Sequence, residues 1–255
     1  MNILIVIDET SFYHPNFIND LTDKLSNHNI LCALVTKIKK TSSIEKYLLK
    51  NINNLYFREI FLLVAKKTIF SILSFFNFTF RNNFYSVKSV LKTKRINYFN
   101  VEYDINKSSY INQISIFNPD IIISSCSVIF KSKLLSLPNI GTINRHSSLL
   151  PSYRGLWPVL NSIADNNKFS GVTIHLMNKK IDQGLILAQK KVLNTNNNLS
   201  EIYKKCFSIS SDLVVEAINN LLKKKYLNNN FKSSYYSFPS YERFKLFRKN
   251  KGRFI

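Results

Sequence analysis

Glycine is scarce in this chain, five residues in 255, and none follows the first β-branched run, Asn2–Ile7. Asp8-Glu9-Thr10-Ser11 stands where a dinucleotide-binding fold would carry G-x-G-x-x-G, which argues against a Rossmann dehydrogenase. Cysteine is equally sparse. Cys32, Cys126 and Cys206 are odd in number, far apart and without Cys-x-x-Cys or paired His spacing, which excludes a zinc cluster; no metal is expected, and reduced thiols in a cytoplasm are. The apolar start Met1–Asp8 lacks a basic leader and reads as a first strand rather than a signal segment. Acidic residues are few: 15 Asp and Glu against 36 Lys and Arg give a net charge of +21. Such charge suits phosphates, nucleic acid or an anionic membrane surface. Lys and Asn are nevertheless spread along the whole chain, as a compositional bias would leave them, and Lys223-Lys224-Lys225 reads as a solvated face.

What is present is a globular pattern, with 45% hydrophobic residues and no stretch depleted of them. Short β-branched runs alternate with longer amphipathic stretches, which predicts an α/β fold with an open, mostly parallel twisted sheet and flanking helices. Strands are expected at Asn2–Ile7, Ile30–Thr36, Tyr98–Glu102, Asp120–Ser125, Gly141–Asn144, Gly171–Met177 and Leu185–Val192. Helices are expected at Asn16–Ser26, Ser43–Asn51, Tyr110–Phe117, Lys131–Ser136, Trp157–Asn166 and Ser200–Lys224. Residues 1–225 read as one domain, with 56–94 as an inserted helical hairpin or long helix, and 226–255 as a basic aromatic extension. The pair Lys66-Lys67 argues against a bilayer span in the insertion, since charge near the bilayer centre is costly. Core packing is the expected role, with interfacial membrane contact as the alternative.

Four of the five glycines, Gly141, Gly155, Gly171 and Gly184, fall in one short segment. Within it, Gly141-Thr142-Ile143-Asn144-Arg145-His146 should end a strand with Asn144 and His146 on one face, because side chains alternate with a period of two. Both then project at the carboxyl end of the sheet, where open α/β folds bind ligands. Ser147-Ser148-Leu149-Leu150-Pro151 and Arg154-Gly155 follow, then Gly171-Val172-Thr173 and Asp182-Gln183-Gly184. From about Asp120 to Val192 this ordered set resembles the folate-dependent formyltransferases, the family of glycinamide ribonucleotide, methionyl-tRNA and nucleotide-sugar formyltransferases. The resemblance implies Asn144, His146 and Asp182 as catalytic residues and 10-formyltetrahydrofolate as cosubstrate. It also implies a pterin pocket made by Val128, Ile129 and Phe130 and by Met177, Asn178, Lys179, Lys180 and Ile181. Arg145, between Asn144 and His146, departs from the aliphatic residue usual there and puts a cation on the other strand face.

The chemistry accounts for these residue types. When an amine adds to a formyl carbon, the carbonyl oxygen becomes negative, and Asn144 with a protonated His146 can donate hydrogen bonds to it. Asp182 should favour the imidazolium and help carry the amine's proton. No G-x-S-x-G elbow surrounds Ser147 and Ser148, which argues against a serine hydrolase. His175, His14 and His28 are expected to be structural.

Arg154-Gly155-Leu156-Trp157-Pro158 and Ser234–Pro239 look most like formyltransferases acting on nucleotide-linked amino sugars for surface polysaccharides. Arg145, Arg154 and Trp157 are the candidate substrate contacts, the arginines as forks on phosphate. Methionyl-tRNA and glycinamide ribonucleotide are the alternative acceptors. About sixty residues follow Val192, too few for the barrel domain that a tRNA enzyme would carry. No specific nucleic-acid partner is expected, while a homodimer and peripheral membrane contact are both compatible with the sequence. The other-class alternative is a non-catalytic relative whose Arg243–Arg253 segment, cations interleaved with aromatics, binds RNA or anionic lipid.

Overall fold

The computed structural model describes residues 1–9, 12–38, 54–76, 78–79 and 83–255. Seven strands, β1 (Asn2–Asp8), β2 (Asn29–Ile38), β3 (Asn97–Tyr103), β4 (Ile121–Ser125), β5 (Gly141–His146), β7 (Phe169–Leu176) and β8 (Ile186–Leu193), form one sheet in the order β3-β2-β1-β4-β5-β7-β8. The pairs from β3 across to β5 are parallel, and β7 and β8 are antiparallel. This is the expected open, mostly parallel sheet. Six of the seven β1 residues are buried, as a central strand covered on both faces requires.

Alternation along β1 divides the core in two. Ile3, Ile5 and Ile7 pack with Phe17, Ile18 and Leu21 of α1 (His14–Lys24) and with residues of the C-terminal helices. Leu4 and Val6 pack on the other face with Ile111 and Ile114 of α4 (Ser108–Phe117) and Leu134 of α5 (Ser132–Leu135). Strand order reverses at β1, which has β2 on one side and β4 on the other, and the carboxyl ends of the next strands, β4 and β5, border the cavity described below.

Several elements depart from the sequence expectations. Ser200–Lys224 is two helices, α7 (Leu199–Ser208) and α8 (Ser210–Leu222), joined at Ile209. Serines at the junction bond back to the preceding turn, Ser208 Oγ to Lys205 O at 2.9 Å and Ser210 Oγ to Cys206 O at 2.6 Å, offering carbonyls an alternative partner. The helix expected at Trp157–Asn166 is α6 (Pro158–Ala164), because Trp157 caps it in the left-handed region with φ 53°. Ser43–Asn51 lies outside the described residues.

The insertion holds α2 (Phe57–Phe75) and α3 (Val87–Thr93). The expected core packing is only partial for α2: Glu59 alone among its residues is buried, Leu63 is half-buried against the main core, and Phe57, Phe61, Val64, Ile69, Ile72 and Phe75 face solvent. The C-terminal segment, by contrast, joins the body of the molecule. Strand β9 (Tyr235–Tyr236) pairs in parallel with β6 (Arg154–Gly155), and Phe244 and Phe247 of α9 (Tyr241–Lys249), with Phe254, enter the main core.

Candidate active site

Strand β5 ends as the alternation predicts. Asn144 and His146 face a cavity of about 400 Å³, while Arg145 points the opposite way. The antiparallel register of β5 and β7 sets Asn144 opposite His175. Asp182 arrives from the β7–β8 connection, in the left-handed region with φ 52°. That connection folds back closely on β7, and a Cβ on Gly184 would collide with the Leu176 backbone, so glycine is required for the turn that delivers Asp182.

The four side chains interlock. His146 Nε2 donates to the Tyr153 carbonyl at 2.9 Å, which leaves Nδ1 facing Asp182 Oδ2 at 3.8 Å. His175 Nδ1 donates to its neighbour's carbonyl, Leu176 O, at 2.7 Å. With Nδ1 so committed, His175 Nε2 accepts from Asn144 Nδ2 at 3.3 Å in the neutral ring and donates toward Asp182 Oδ1 at 3.6 Å when the ring is protonated. Asn144 thus keeps a second amide hydrogen for a ligand oxygen. Asp182 Oδ2 also accepts from Gly155 N at 2.8 Å. Gly155 has φ 87°, and a Cβ there would collide with the Tyr236 carbonyl, so the β6–β9 pairing and this hydrogen bond both depend on the missing side chain.

Electrostatics divides the roles. Burial works to raise the Asp182 pKa, but His175, the charge of His146 and the Gly155 N–H outweigh it, and the carboxyl is lowered to about 2. Burial pushes His146 below its ordinary 6.5, against the opposing pull of Asp182 and its hydrogen bond to Tyr153. The resting imidazole is therefore neutral near pH 7, where the sequence reading assumed a protonated donor. Cys126, also on the cavity wall, is raised to about 12 by burial and stays a thiol.

All eight pocket residues expected from the sequence line this cavity, Val128, Ile129 and Phe130 after β4, and Met177 through Ile181 after β7. The expected substrate contacts fare differently. Arg145 borders the cavity, but its side chain is turned to the far face of the sheet and buried, its Nε donating to Ser210 Oγ at 2.9 Å and its guanidinium 3.6 Å from the Phe207 ring centroid, so the guanidinium does not grip a ligand there. Trp157 packs edge-on against Phe254 at 6.2 Å and staples the C-terminal segment, and it is not on the cavity wall. Arg154 sits in β6 with Nε 3.3 Å from Ser234 O and is likewise absent from that wall. The sequence reading missed three participants. His175 could have been found from the same period-two rule once β7 is set antiparallel to β5. Leu156 and Tyr235 carry no such signal, because they reach the cavity through the β6–β9 pairing.

The sequence profile of the formyl transferase family matches residues 1–218. The chain belongs to this family. It is 32% identical over 121 residues to the methionyl-tRNA formyltransferase of Staphylococcus aureus (strain Newman), a stretch that is 47% of this chain and 39% of that protein. The match thus spans well under half the length of this curated relative. A solved sugar N-formyltransferase from Shewanella sp FDAARGOS_354 superposes with a TM-score of 0.59 at 20% identity, covering 98% of this chain and 87% of that one. The N-formyltransferase of Helicobacter canadensis, solved with folinic acid and dTDP-3-aminofucose, superposes with a TM-score of 0.56 at 16% identity, over 98% and 81% of the two chains. At these identities the two structures speak to the fold.

Proposed function

We propose that this chain transfers a formyl group from 10-formyltetrahydrofolate to a primary amine, and that the amine belongs to a nucleotide-linked amino sugar. The observation that carries the reading is the meeting of Asn144, His146 and Asp182 on one cavity whose remaining lining suits a pterin. Val128, Phe130, Leu156 and Met177 offer apolar walls, and the main chain of 177–181 offers hydrogen-bonding groups for a polar ring edge. Asn178 braces that loop, accepting from Lys180 N at 2.8 Å, while the exposed Lys179 and Lys180 at the rim suit the carboxylates of a folate tail. The folate supplies the formyl carbon.

The residues supply the rest. Asn144 directs its free amide hydrogen at the formyl oxygen, where negative charge develops as the amine adds. His146 takes the amine's proton at Nδ1, its Nε2 being committed to Tyr153, and returns it to the folate nitrogen as the bond between that nitrogen and the formyl carbon breaks. Asp182, ionised throughout, stabilises that imidazolium at 3.8 Å. His175 orients Asn144 and Asp182 together.

The amino-sugar acceptor is supported by the sugar N-formyltransferases among the neighbours, beside which a glycinamide ribonucleotide transformylase from Symbiobacterium toebii superposes as well, and by Tyr235 on the cavity wall with Leu156. The similarity to a methionyl-tRNA formyltransferase sustains a second reading. Formyl transfer from 10-formyltetrahydrofolate to a panel of amino-sugar nucleotides and to methionyl-tRNA, at physiological salt, separates them by product mass. Transfer to the tRNA and to no sugar overturns the acceptor assignment, and transfer to none of the sugars, the tRNA or glycinamide ribonucleotide, run beside them, overturns the activity. Tight tRNA binding without turnover does not support the tRNA reading, because a charge of +21 binds RNA through salt-sensitive phosphate contacts alone.

A further inference from the structure

Helix α2 carries the largest concentration of exposed apolar side chains among the described residues. Phe57, Phe61 and Phe75 are 85%, 64% and 80% exposed, and Val64, Ile72 and Phe76 are exposed as well. Their spacing follows the helical repeat, so Phe57, Phe61, Val64, Ile72 and Phe75 form one outward stripe, about 28 Å long at 1.5 Å per residue over 19 residues. Lys66, the charge that seemed to spoil this face, is turned inward. Its Nζ lies 4.9 Å from the Phe12 ring centroid and 3.3 Å from Ser200 Oγ.

A second feature, the basic C-terminal segment, is fastened to the start of this helix. Arg248 Nη1 and the Phe254 N–H both donate to Glu59 Oε1 at 2.9 Å, and the Arg248 guanidinium lies 4.1 Å from the Tyr56 ring centroid. Glu59 is thereby neutralised, and Lys251 and Arg253, both exposed, share a surface hollow with Tyr56. Arg58 and Lys67 of the helix are exposed too. No helix among the described residues is long and apolar enough to cross a membrane.

We propose that the outer face of α2, with the cations of the C-terminal segment at its end, seats the protein on an anionic membrane surface, the helix lying in the plane of the headgroups. An apolar aromatic stripe flanked by cations is the composition of an interfacial helix. A second copy of the chain is the weaker occupant, since two surfaces of one +21 molecule repel where an anionic leaflet attracts. This inference is independent of the formyl-transfer reading and has its own readout.

The test is sedimentation of the full chain with vesicles of phosphatidylcholine alone or mixed with phosphatidylglycerol. Binding is expected to the mixed vesicles only, and to weaken as salt is raised. A triple variant, Phe57→Ser, Phe61→Ser and Phe75→Ser, is expected to bind at least about tenfold more weakly with an unchanged thermal melt, since these side chains face solvent. Lys251→Glu with Arg253→Glu should also weaken binding and flatten its salt dependence. Because the triple variant could misfold, Phe61→Trp provides a separate reading: its emission should shift to the blue on phosphatidylglycerol vesicles. A chain that stays in the supernatant with those vesicles overturns the proposal, as does an unshifted Phe61→Trp emission. So does a folded triple variant that binds as tightly as the parent, or a dimer of the parent chain that the triple substitution makes monomeric.

Discussion

Replacing Asp182 by Asn removes one charge and almost no volume, and it probes the site where the geometry is most specific. The amide oxygen can still accept from Gly155 N, so the β6–β9 pairing and the turn at Gly184 should survive. What disappears is the carboxylate 3.8 Å from His146 Nδ1. At an effective dielectric of about 20 that attraction is worth about 4 kcal/mol to the imidazolium, and it is felt only after proton uptake. Turnover should therefore fall by about a hundredfold to a thousandfold, with much less change in KM. The free protein offers a second measurement. The His146 imidazole, followed by NMR, should titrate below 6.5 in the parent and lower still in the Asn variant, which has lost the group that favours protonation. Stability should respond as well. With its pKa lowered from 3.8 to about 2, the ionised carboxyl contributes about 2 kcal/mol, present above the unfolded value and lost as pH falls through the folded one. In the variant that acid-limb loss should be smaller. Turnover within about threefold of the parent, or an unmoved His146 titration, would refute the assigned role of Asp182.

Asn144→Ala should lower kcat by about a hundredfold with an unchanged melt, because the lost hydrogen bond forms on developing charge; steady-state kinetics with circular dichroism checks both. The acid limb of kcat/KM should have its midpoint below 6.5 for an acceptor whose amine is already deprotonated there, since His146 then titrates in that range while Asp182 does not; a midpoint above 7 with such an acceptor would point to a different base. Gly155→Ala should destabilise the fold by about 1–3 kcal/mol in denaturant titration and lower kcat, because a Cβ at φ 87° drives β6 from β9 and withdraws the N–H that holds Asp182. Arg145→Met should leave the acceptor's KM unchanged, as the Arg145 guanidinium lies across the sheet from the cavity; a rise of tenfold or more would return it to the substrate.

The sequence by itself determined the sheet and most of the residues that meet at the candidate site. A β-branched run such as Asn2–Asp8 has only one comfortable environment, a strand covered on both faces, and Asn-x-His at a strand end must put both side chains on one side. The same alternation sends Arg145 away, a consequence legible in the sequence even though its charge suggested phosphate. The pocket residues after β4 and β7 were found through family resemblance, since apolar side chains near strand ends look the same whether they line a pocket or a core. Only the tertiary structure decided the rest. His175 became a partner of Asn144 and Asp182 through the antiparallel register of β7, which no local period encodes. Trp157 was taken from the substrate by Phe254, nearly a hundred residues away. Tyr235 reached the cavity because Gly155 lets two short strands approach, and α2 lies at the surface, fastened through Glu59 to Arg248 and the Phe254 N–H. Local periodicity states which face of an element is distinct; what that face meets depends on contacts distant in sequence, and folding alone brings those together.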